Sequence, residues 1–480
     1  MQAVPWSGVA RFARDRTAIA LLGAFALGAL LLTGVLLAVF LGRGEERAAP
    51  STAAATSAAV PSAPPTSAPP ATAPPPPVVA GPLRTLAVGA FSATVEWTGV
   101  EAPTHVGYGL PELGPTLWVP LRDNRAQLTG LRFGTTYRVW AGNATLDVTT
   151  APAPSSPIAS IENGAVLLDG QPFFPLLELA QCGLNFDAGL AAGLTVFVEN
   201  GCGGIAQQAS VLAGRAFSLT VAEEAGIGGA GVIGWYYPDE PDLKGIAPPA
   251  LPQFPALEAT GRLRVLTLSN HVYSRAAPLP AGRGVYPGLI EPSDLVGLDL
   301  YPLQEFCDAA WLADVAAVQR ELVALASPRP TFQWIEARTW RCGTPALRVT
   351  PATIRAESWL AIAGGARGLG FFPADWPPAL TPAIARVARE VAALQPALTA
   401  PDAPVSAAAP LVAAARSFGD AFYVVAVNPT RTRVDATIRA APLAEGAATV
   451  VGEGRSVELG DGALRDRFEP LAVHVYAVAP

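Results

Sequence analysis

Charge is scarce in this chain: charged residues make up 15% of its 480 positions, and Lys is nearly absent beside Arg. No basic block occurs beyond the N-terminus, so a phosphate backbone finds no cluster of cations, and nucleic acid is not expected as a partner. Histidines number three and none is paired at ligand spacing. The four cysteines form no Cys-x-x-Cys. A zinc site is not expected on either count, and no metal is assigned. No Gly-rich phosphate loop links a strand to a helix, which argues against a nucleotide site, and no cofactor is assigned. A Gly-x-Ser-x-Gly elbow is also missing, which weakens a serine-hydrolase reading. What abounds is apolar: hydrophobic residues reach 51%, beside 48 Pro and 46 Gly. That supply builds a core, so the bulk of the chain is not disordered. At roughly 100–200 residues each, the length allows two to four domains.

Residues 18–41 contain no charge. As a helix they would span about 36 Å against roughly 30 Å of hydrocarbon, longer than the apolar run of a cleaved signal peptide. The leading residues 1–17 carry Arg11, Arg14 and Arg16 against Asp15, while Arg43 and Arg47 on the far side are balanced by Glu45 and Glu46. The positive-inside rule then makes residues 1–17 a cytoplasmic tail, 18–41 a single transmembrane helix, and everything after it extracellular. Residues 42–82 read as a linker; from 48 onward they are charge-free and rich in Pro, Ala, Ser and Thr, ending in Pro74 to Pro77. Such a tract has nothing to bury and favours extended polyproline conformations.

Residues 83–154 show short alternating runs broken by turns, such as Ala93–Trp97, His105–Gly109 and Thr136–Trp140, the pattern of a β-sandwich. Trp97, Tyr108-Gly109 and the series Leu128, Leu131, Thr135, Tyr137 resemble a fibronectin type III domain. The resemblance implies a tyrosine corner at Tyr137 and a spacer or binding role.

Residues 155–401 change character. Asn163-Gly164 and Asp169-Gly170 punctuate an opening hairpin. Eight short apolar runs follow: Phe173–Leu179, Thr195–Glu199, Ala216–Val221, Val232–Tyr237, Leu263–Ser269, Leu295–Leu300, Thr331–Ile335 and Gly368–Phe372. Their continuous apolar character is that of parallel strands covered on both faces. Helices are expected between them, most clearly at Trp311–Ala326, at Pro351–Gly364 capped by Thr350, and at Pro382–Leu398 capped by Thr381. Eight such units fit a (β/α)8 TIM barrel, with a doubly wound sheet as the alternative. Polar residues gather at the strand ends, where a TIM barrel carries its site: Glu199 and Asn200, Asp239 and Glu240, Asn270 and His271, Asp299 and Tyr301, Glu336, and Asp375-Trp376.

Glycosidic cleavage needs two carboxyls flanking one bond, and Glu240 after strand four and Glu336 after strand seven can face each other across the mouth. The stretches Gly164–Phe174, Ile233–Pro241, Val296–Pro302 and Ala361–Leu369 resemble the retaining glycoside hydrolase clan with (β/α)8 barrels, over residues 158–400. The resemblance implies Glu240 as acid/base, Glu336 as nucleophile, Tyr301 holding the nucleophile, and Trp376 stacking a sugar. Asp239 departs from the Asn that many members carry there. Glu199, Asn200, Asp239, Asn270 and His271 complete the expected substrate contacts. Structural readings stand beside these roles: an acidic helix start at Asp239-Glu240-Pro241, a Glu336–Arg338 ion pair, and core or loop packing for Trp376, Tyr301 and His271.

In a closed barrel, strands one and two are neighbours, as are six and seven. This pairs Cys182 with Cys202 and Cys307 with Cys342, and export permits both bonds. Residues 402–480 return to alternation at Leu411–Ala415, Ala421–Asn428, Arg433–Ile438, Ser456–Leu459 and Ala472–Ala477, and read as a C-terminal antiparallel, sandwich-like β domain. The sequence therefore describes a monomeric, membrane-anchored surface glycosidase acting on an oligo- or polysaccharide. The alternative is a non-catalytic carbohydrate-binding or structural protein on the same scaffold.

Overall fold

A computed structural model of the chain describes residues 81–480, apart from 182–185, 201–203, 222–225, 227, 228 and 444. The expected tail, membrane helix and linker therefore lie outside the described residues. Among the described residues, no helix is long and apolar enough to cross a membrane. Residues Pro77–Pro480 form one compact unit.

The first part is a sandwich of two antiparallel sheets. Strands β1 (Leu83–Val88), β2 (Ala93–Trp97) and β5 (Arg125–Leu128) make one sheet; β3 (His105–Gly109), β4 (Leu117–Pro120), β6 (Thr136–Ala141) and β7 (Ala144–Thr149) make the other. Inward residues alternate along each strand, as in Ala93, Val95 and Trp97 of β2. Tyr137 OH accepts from the Arg132 N–H at 3.0 Å and donates to the Ala392 carbonyl at 3.1 Å. The corner tyrosine thus also ties the sandwich to the next domain.

Three short antiparallel strands come next: β8 (Ala159–Glu162), β9 (Ala165–Leu168) and β10 (Gln171–Phe173). Both turns hold positive φ at both central residues, Asn163 and Gly164 at 51° and 70°, Asp169 and Gly170 at 51° and 73°. That is the conformation for which Asn-Gly and Asp-Gly are selected. Val166, Leu168 and Phe173 share the barrel's inner cluster with Phe217 and Phe332.

Eight parallel strands then close a barrel: β11 (Leu176–Gln181), β12 (Val196–Asn200), β13 (Phe217–Val221), β14 (Val232–Tyr236), β15 (Leu263–Leu268), β16 (Leu295–Asp299), β17 (Thr331–Glu336) and β18 (Leu369–Phe372). Closure is made by β11 on β18, with Leu176 opposite Leu369. The open doubly wound sheet is thereby excluded. The first strand starts at Leu176 rather than Phe173, because Phe173 belongs to the hairpin. Side chains alternate across the wall. Leu177, Val198, Leu219, Val265 and Trp334 belong to the inner cluster, while Leu176, Phe197, Leu266, Leu298 and Ile335 join the outer one. Each such burial contributes roughly 1.5–3 kcal/mol.

Helices α1 (Phe186–Ala192), α2 (Ile205–Leu212), α3 (Leu257–Thr260), α4 (Tyr286–Ile290), α5 (Val315–Ala326), α6 (Pro351–Ala363) and α7 (Thr381–Thr399) surround the wall. Two helix starts differ from expectation. Residues Ala309–Asp314 form a 3-10 segment, capped by the Asp308 side chain, before α5 begins. Thr381 is not a cap: Leu380 holds that position, and Thr381 Oγ1 donates to the Pro377 carbonyl instead. Thr350 does cap α6, through a capping box with Thr353.

The last part is one nine-stranded antiparallel sheet rather than two packed sheets. It runs from β19 (Asp402–Ala403) through β21 (Val412–Phe418), β22 (Ala421–Val427), β27 (Val473–Val478), β24 (Glu445–Val450), β25 (Arg455–Gly460), β26 (Ala463–Phe468) and β23 (Val434–Arg439) to β20 (Ser406–Ala407). It has its own core around Phe422, Val424, Ile438, Leu464 and Phe468. Strands β19, β20, β24 and β26 are additions to the sequence reading, the first two because each is only two residues long. The exposed polar and small residues of Glu445–Val450 and the charges of Arg465–Arg467 hid the other two.

Barrel filling gives a test. A Cβ on Gly370 would lie 2.1 Å from the Trp334 ring, whereas at Gly343 it would meet nothing within 4 Å. Gly370→Ala is expected to cost about 2–4 kcal/mol in urea unfolding and Gly343→Ala to stay within about 0.5 kcal/mol. Equal effects would contradict the aromatic filling of the barrel.

Candidate active site

The chain leaves β14 through Tyr237-Pro238 and bends at Asp239 and Glu240. This segment is a single turn, not the helix start that its acids and Pro241 also suggested; Lys244 N–H bonds to the Glu240 carbonyl and Ile246 N–H to that of Pro241. Glu240 itself holds φ of 44°, a left-handed conformation that costs a side-chain-bearing residue on the order of 1–3 kcal/mol. Asp242 fixes the bend. Its buried carboxylate accepts from Ser269 N–H at 3.0 Å and Ser269 Oγ–H at 2.6 Å, and Tyr286 OH lies at 3.4 Å. The turn after β14 is therefore pinned to the end of β15.

Along β16, alternation sends Asp299 inward. One carboxylate oxygen each from Asp239, Glu240 and Asp299 then lies within 4.8 Å of the others. The same trio could offer one oxygen each to a hard cation. Two tyrosines hold the flanking members. Tyr301 OH donates to Asp299 Oδ1 at 2.7 Å. Tyr236 OH lies 2.9 Å from Asp239 Oδ1 and 2.8 Å from Thr267 Oγ1, which accepts from the Trp334 indole N–H at 2.9 Å. The phenol has one proton and donates it in the bond to Asp239, so the Thr267 hydroxyl donates to the phenol oxygen while its own oxygen accepts from the indole N–H. This chain of donors crosses the barrel interior from β17 to β14.

Like charge and burial act together on these acids. Burial, then the charges of Asp239, Glu305 and Asp242, push Glu240 from 4.5 up to about 7, with a hydrogen bond to Asp299 pulling the other way. Burial, followed by the charges of Glu240 and Asp239, holds Asp299 well above the usual carboxylate range. Asp239 is raised as well, chiefly by burial.

Glu336 is not one of these three. Its side chain is fully buried, and Oε1 accepts from the backbone N–H groups of Leu303 at 2.7 Å and Gln304 at 3.1 Å. Burial raises it to about 8 against those two donors. The expected ion pair with Arg338 is not made; Arg338 stacks on Trp340 and Phe372 instead. Tyr301 holds Asp299 rather than Glu336. Trp376 is no open platform: it is 7% exposed, and its indole N–H donates to Glu178 Oε1 at 3.1 Å. Glu178 lies under that contact with no water access, and burial pushes it to about 9. His271 Nδ1 bonds to the Ala277 carbonyl at 2.7 Å, within its own loop, and Asn270 is buried at the start of the same turn. Cys307 and Cys342 are joined, with Cα atoms 5.6 Å apart. Cys182 and Cys202, and the side chains of Glu199 and Asn200, lie outside the described residues.

The sequence reading gave no role to Asp299, Asp242, Glu305 or Gln304. For Asp299 a signal existed: Leu295, Gly297 and Asp299 share one face of β16 by the two-residue period, which aims the carboxylate at the mouth. Asp242 and Gln304 act through backbone partners, which leave no mark in a sequence.

A closed eight-stranded parallel barrel with an acid cluster at the C-terminal ends of its strands defines the class of this protein. No sequence-family profile and no curated protein matches the chain. Solved structures similar to this chain include glycoside hydrolases. One is a family 5 glycoside hydrolase from Bacteroides vulgatus, 12% identical over 68% of this chain and 93% of that one, TM-score 0.44. A GH30 endoxylanase from Clostridium papyrosolvens is 10% identical over 64% and 96%, TM-score 0.41. An α-amylase from Geobacillus thermoleovorans is 9% identical over 64% and 98%, TM-score 0.38.

The raised Glu240 links stability to pH. Between 4.5 and about 7, the folded chain holds a proton that the unfolded chain releases, so this group's contribution weakens as pH rises through that window. Glu240→Gln is expected to match the wild type near pH 4 and to exceed its unfolding free energy by roughly 1–3 kcal/mol near pH 8. A gap that stays constant from pH 4 to 8 in urea titrations would contradict the shift.

Proposed function

We propose that the protein is a glycoside hydrolase in which Glu240 is the proton donor and Asp299 its carboxylate partner. One observation carries the reading: Asp239, Glu240 and Asp299 bring carboxylate oxygens within 4.8 Å at the barrel mouth, where Glu240 is raised to about 7. A carboxyl tuned to that value is protonated enough to give its proton to a leaving glycosidic oxygen. Glu240 and Asp299 are hydrogen-bonded to each other and share one proton, which in the reacting form sits on Glu240; as the C–O bond breaks, the ionised Asp299 attacks the anomeric carbon, and water later releases the sugar with Glu240 as base. So short a separation leaves no room for the attacking water of an inverting course, which uses carboxyls about 6.5–9.5 Å apart. Asp239, held by Tyr236, keeps the Glu240 value high and faces the substrate hydroxyls. Glu336 is a positioning residue that fixes the loop after β16.

The substrate is an oligo- or polysaccharide, and the protein acts as a monomer. Residues 18–41 anchor it in a membrane with the barrel outside, and residues 83–154 serve as a fibronectin type III-type spacer. Detergent, but not high salt, should release the full chain from a membrane pellet if that anchor exists. A carbohydrate-binding protein without turnover is the competing reading.

On any glycoside that the full chain cleaves, Glu240→Gln and Asp299→Asn are each expected to lower kcat/KM by about 10²–10⁴. Glu336→Gln keeps an oxygen for the Leu303 and Gln304 N–H groups and should cost less than about tenfold. The rate should fall as pH rises past about 7, where Glu240 loses its proton, and a chelator should leave it unchanged. If Glu336→Gln is as inactive as Glu240→Gln while Asp299→Asn works, the reacting pair is Glu240 and Glu336.

A further inference from the structure

The loop after β17 carries an aromatic ring and an unsatisfied cation to the rim of the site. Trp340 is 41% exposed, although the backbone beneath it is tightly held. The N–H groups of Trp340, Arg341 and Cys342 all donate to Gln304 Oε1, at 2.8, 2.9 and 3.2 Å. Gln304 is fully buried, and its Nε2 donates to the Cys342 and Leu347 carbonyls. The Cys307–Cys342 disulfide closes the same loop. An exposed indole on so fixed a backbone is a preorganised surface, because little side-chain freedom is left to lose on binding.

The ring packs edge-on against Tyr301, with centroids 5.4 Å apart and planes at 87°, and Tyr301 is the donor to Asp299. Behind it the Arg338 guanidinium lies over Trp340 at 5.4 Å and over Phe372 at 4.8 Å. Arg338 has no carboxylate or carbonyl partner among the described residues, and its buried Nε donates to nothing. The two aromatic contacts orient the guanidinium plane but use none of its N–H groups. A fixed, unsatisfied guanidinium fork fits a planar carboxylate in two-point contact.

We propose that Trp340 and Arg338 form a subsite for a sugar bearing a carboxylate, so that the substrate is a uronate-containing saccharide. This rests on the hydrolase reading for the neighbouring acids and names the substrate class of that site. A sugar ring lies on the open face of Trp340, and the carboxylate of the adjoining sugar reaches round the ring edge to the terminal N–H groups of Arg338. Arg338 also offsets the repulsion that Asp239, Glu240, Asp299 and Glu305 would exert on an anionic sugar.

Calorimetric titration of the full chain with glucuronate, galacturonate and mannuronate tetrasaccharides, each beside its carboxyl-reduced neutral form, tests this. Glu240→Gln serves as the binding background that prevents turnover. At least one acidic probe should bind about tenfold or more tighter than its reduced form. Arg338→Met, which keeps the packed stem, should erase that preference. Trp340→Ala should weaken both forms. Matching unfolding temperatures of the variants and the parent exclude misfolding as the cause. Equal affinity for acidic and reduced probes, a preference that survives Arg338→Met, or no binding of any probe would overturn the subsite. Acidic binding without cleavage by the wild type would retain the subsite and defeat the hydrolase reading; cleavage of neutral glycosides alone would do the reverse.

Discussion

Three carboxyls drawn out of water within 4.8 Å of one another cannot all be charged, and the rest of the barrel mouth is arranged around that constraint. The protein answers it with few cations. Among the described residues no salt bridge reaches the trio; hydroxyl donors from Tyr236 and Tyr301 hold the outer two acids instead. A hydroxyl orients a carboxylate without neutralising it, so the cluster keeps its affinity for a proton. A lysine or arginine in either place would have drawn these acids down into their ordinary range and removed the reason for Glu240 to stay protonated near neutrality.

The architecture was legible because it depends on periodicities. Continuous apolar runs at strand length announced parallel strands buried on both faces, and the observed β11–β18 sit on those runs within a few residues. The two hairpin turns were legible because positive φ at paired positions selects Asn-Gly and Asp-Gly. The C-terminal sheet was only half legible. Its exposed faces carry charges and small residues, which erase the alternation on which strand reading depends.

The site was legible where it depends on strand ends and obscure where it depends on loops. Glu240 follows β14 directly, and its place at the mouth could be argued from order alone. Glu336 also ends a strand, yet the loop after β16 folds over it and fills one of its oxygens with two backbone N–H groups. Trp376 looked like a platform because aromatic residues at barrel rims often are. Its indole instead turns in to Glu178, a buried acid whose neutral form that contact accompanies. In each case a backbone path, not a residue type, sets which atoms the side chain meets. Composition and spacing carry no record of such paths.

Gln304 shows how these paths become a single mechanical unit. Its backbone N–H holds Glu336 at the end of β17, and its side chain gathers the next turn of that same loop through three N–H groups and two carbonyls. The residue lies on the loop that leaves β16, five positions after Asp299. Movement of the Asp299 loop must therefore carry Glu336 and the Trp340 backbone with it, or break several hydrogen bonds, each costly because Gln304 and Glu336 are fully buried. A buried glutamate that accepts two N–H groups is, on this view, part of the support for Asp299. Its carboxyl is useful for the oxygen it presents to Leu303 and Gln304, whatever its protonation state.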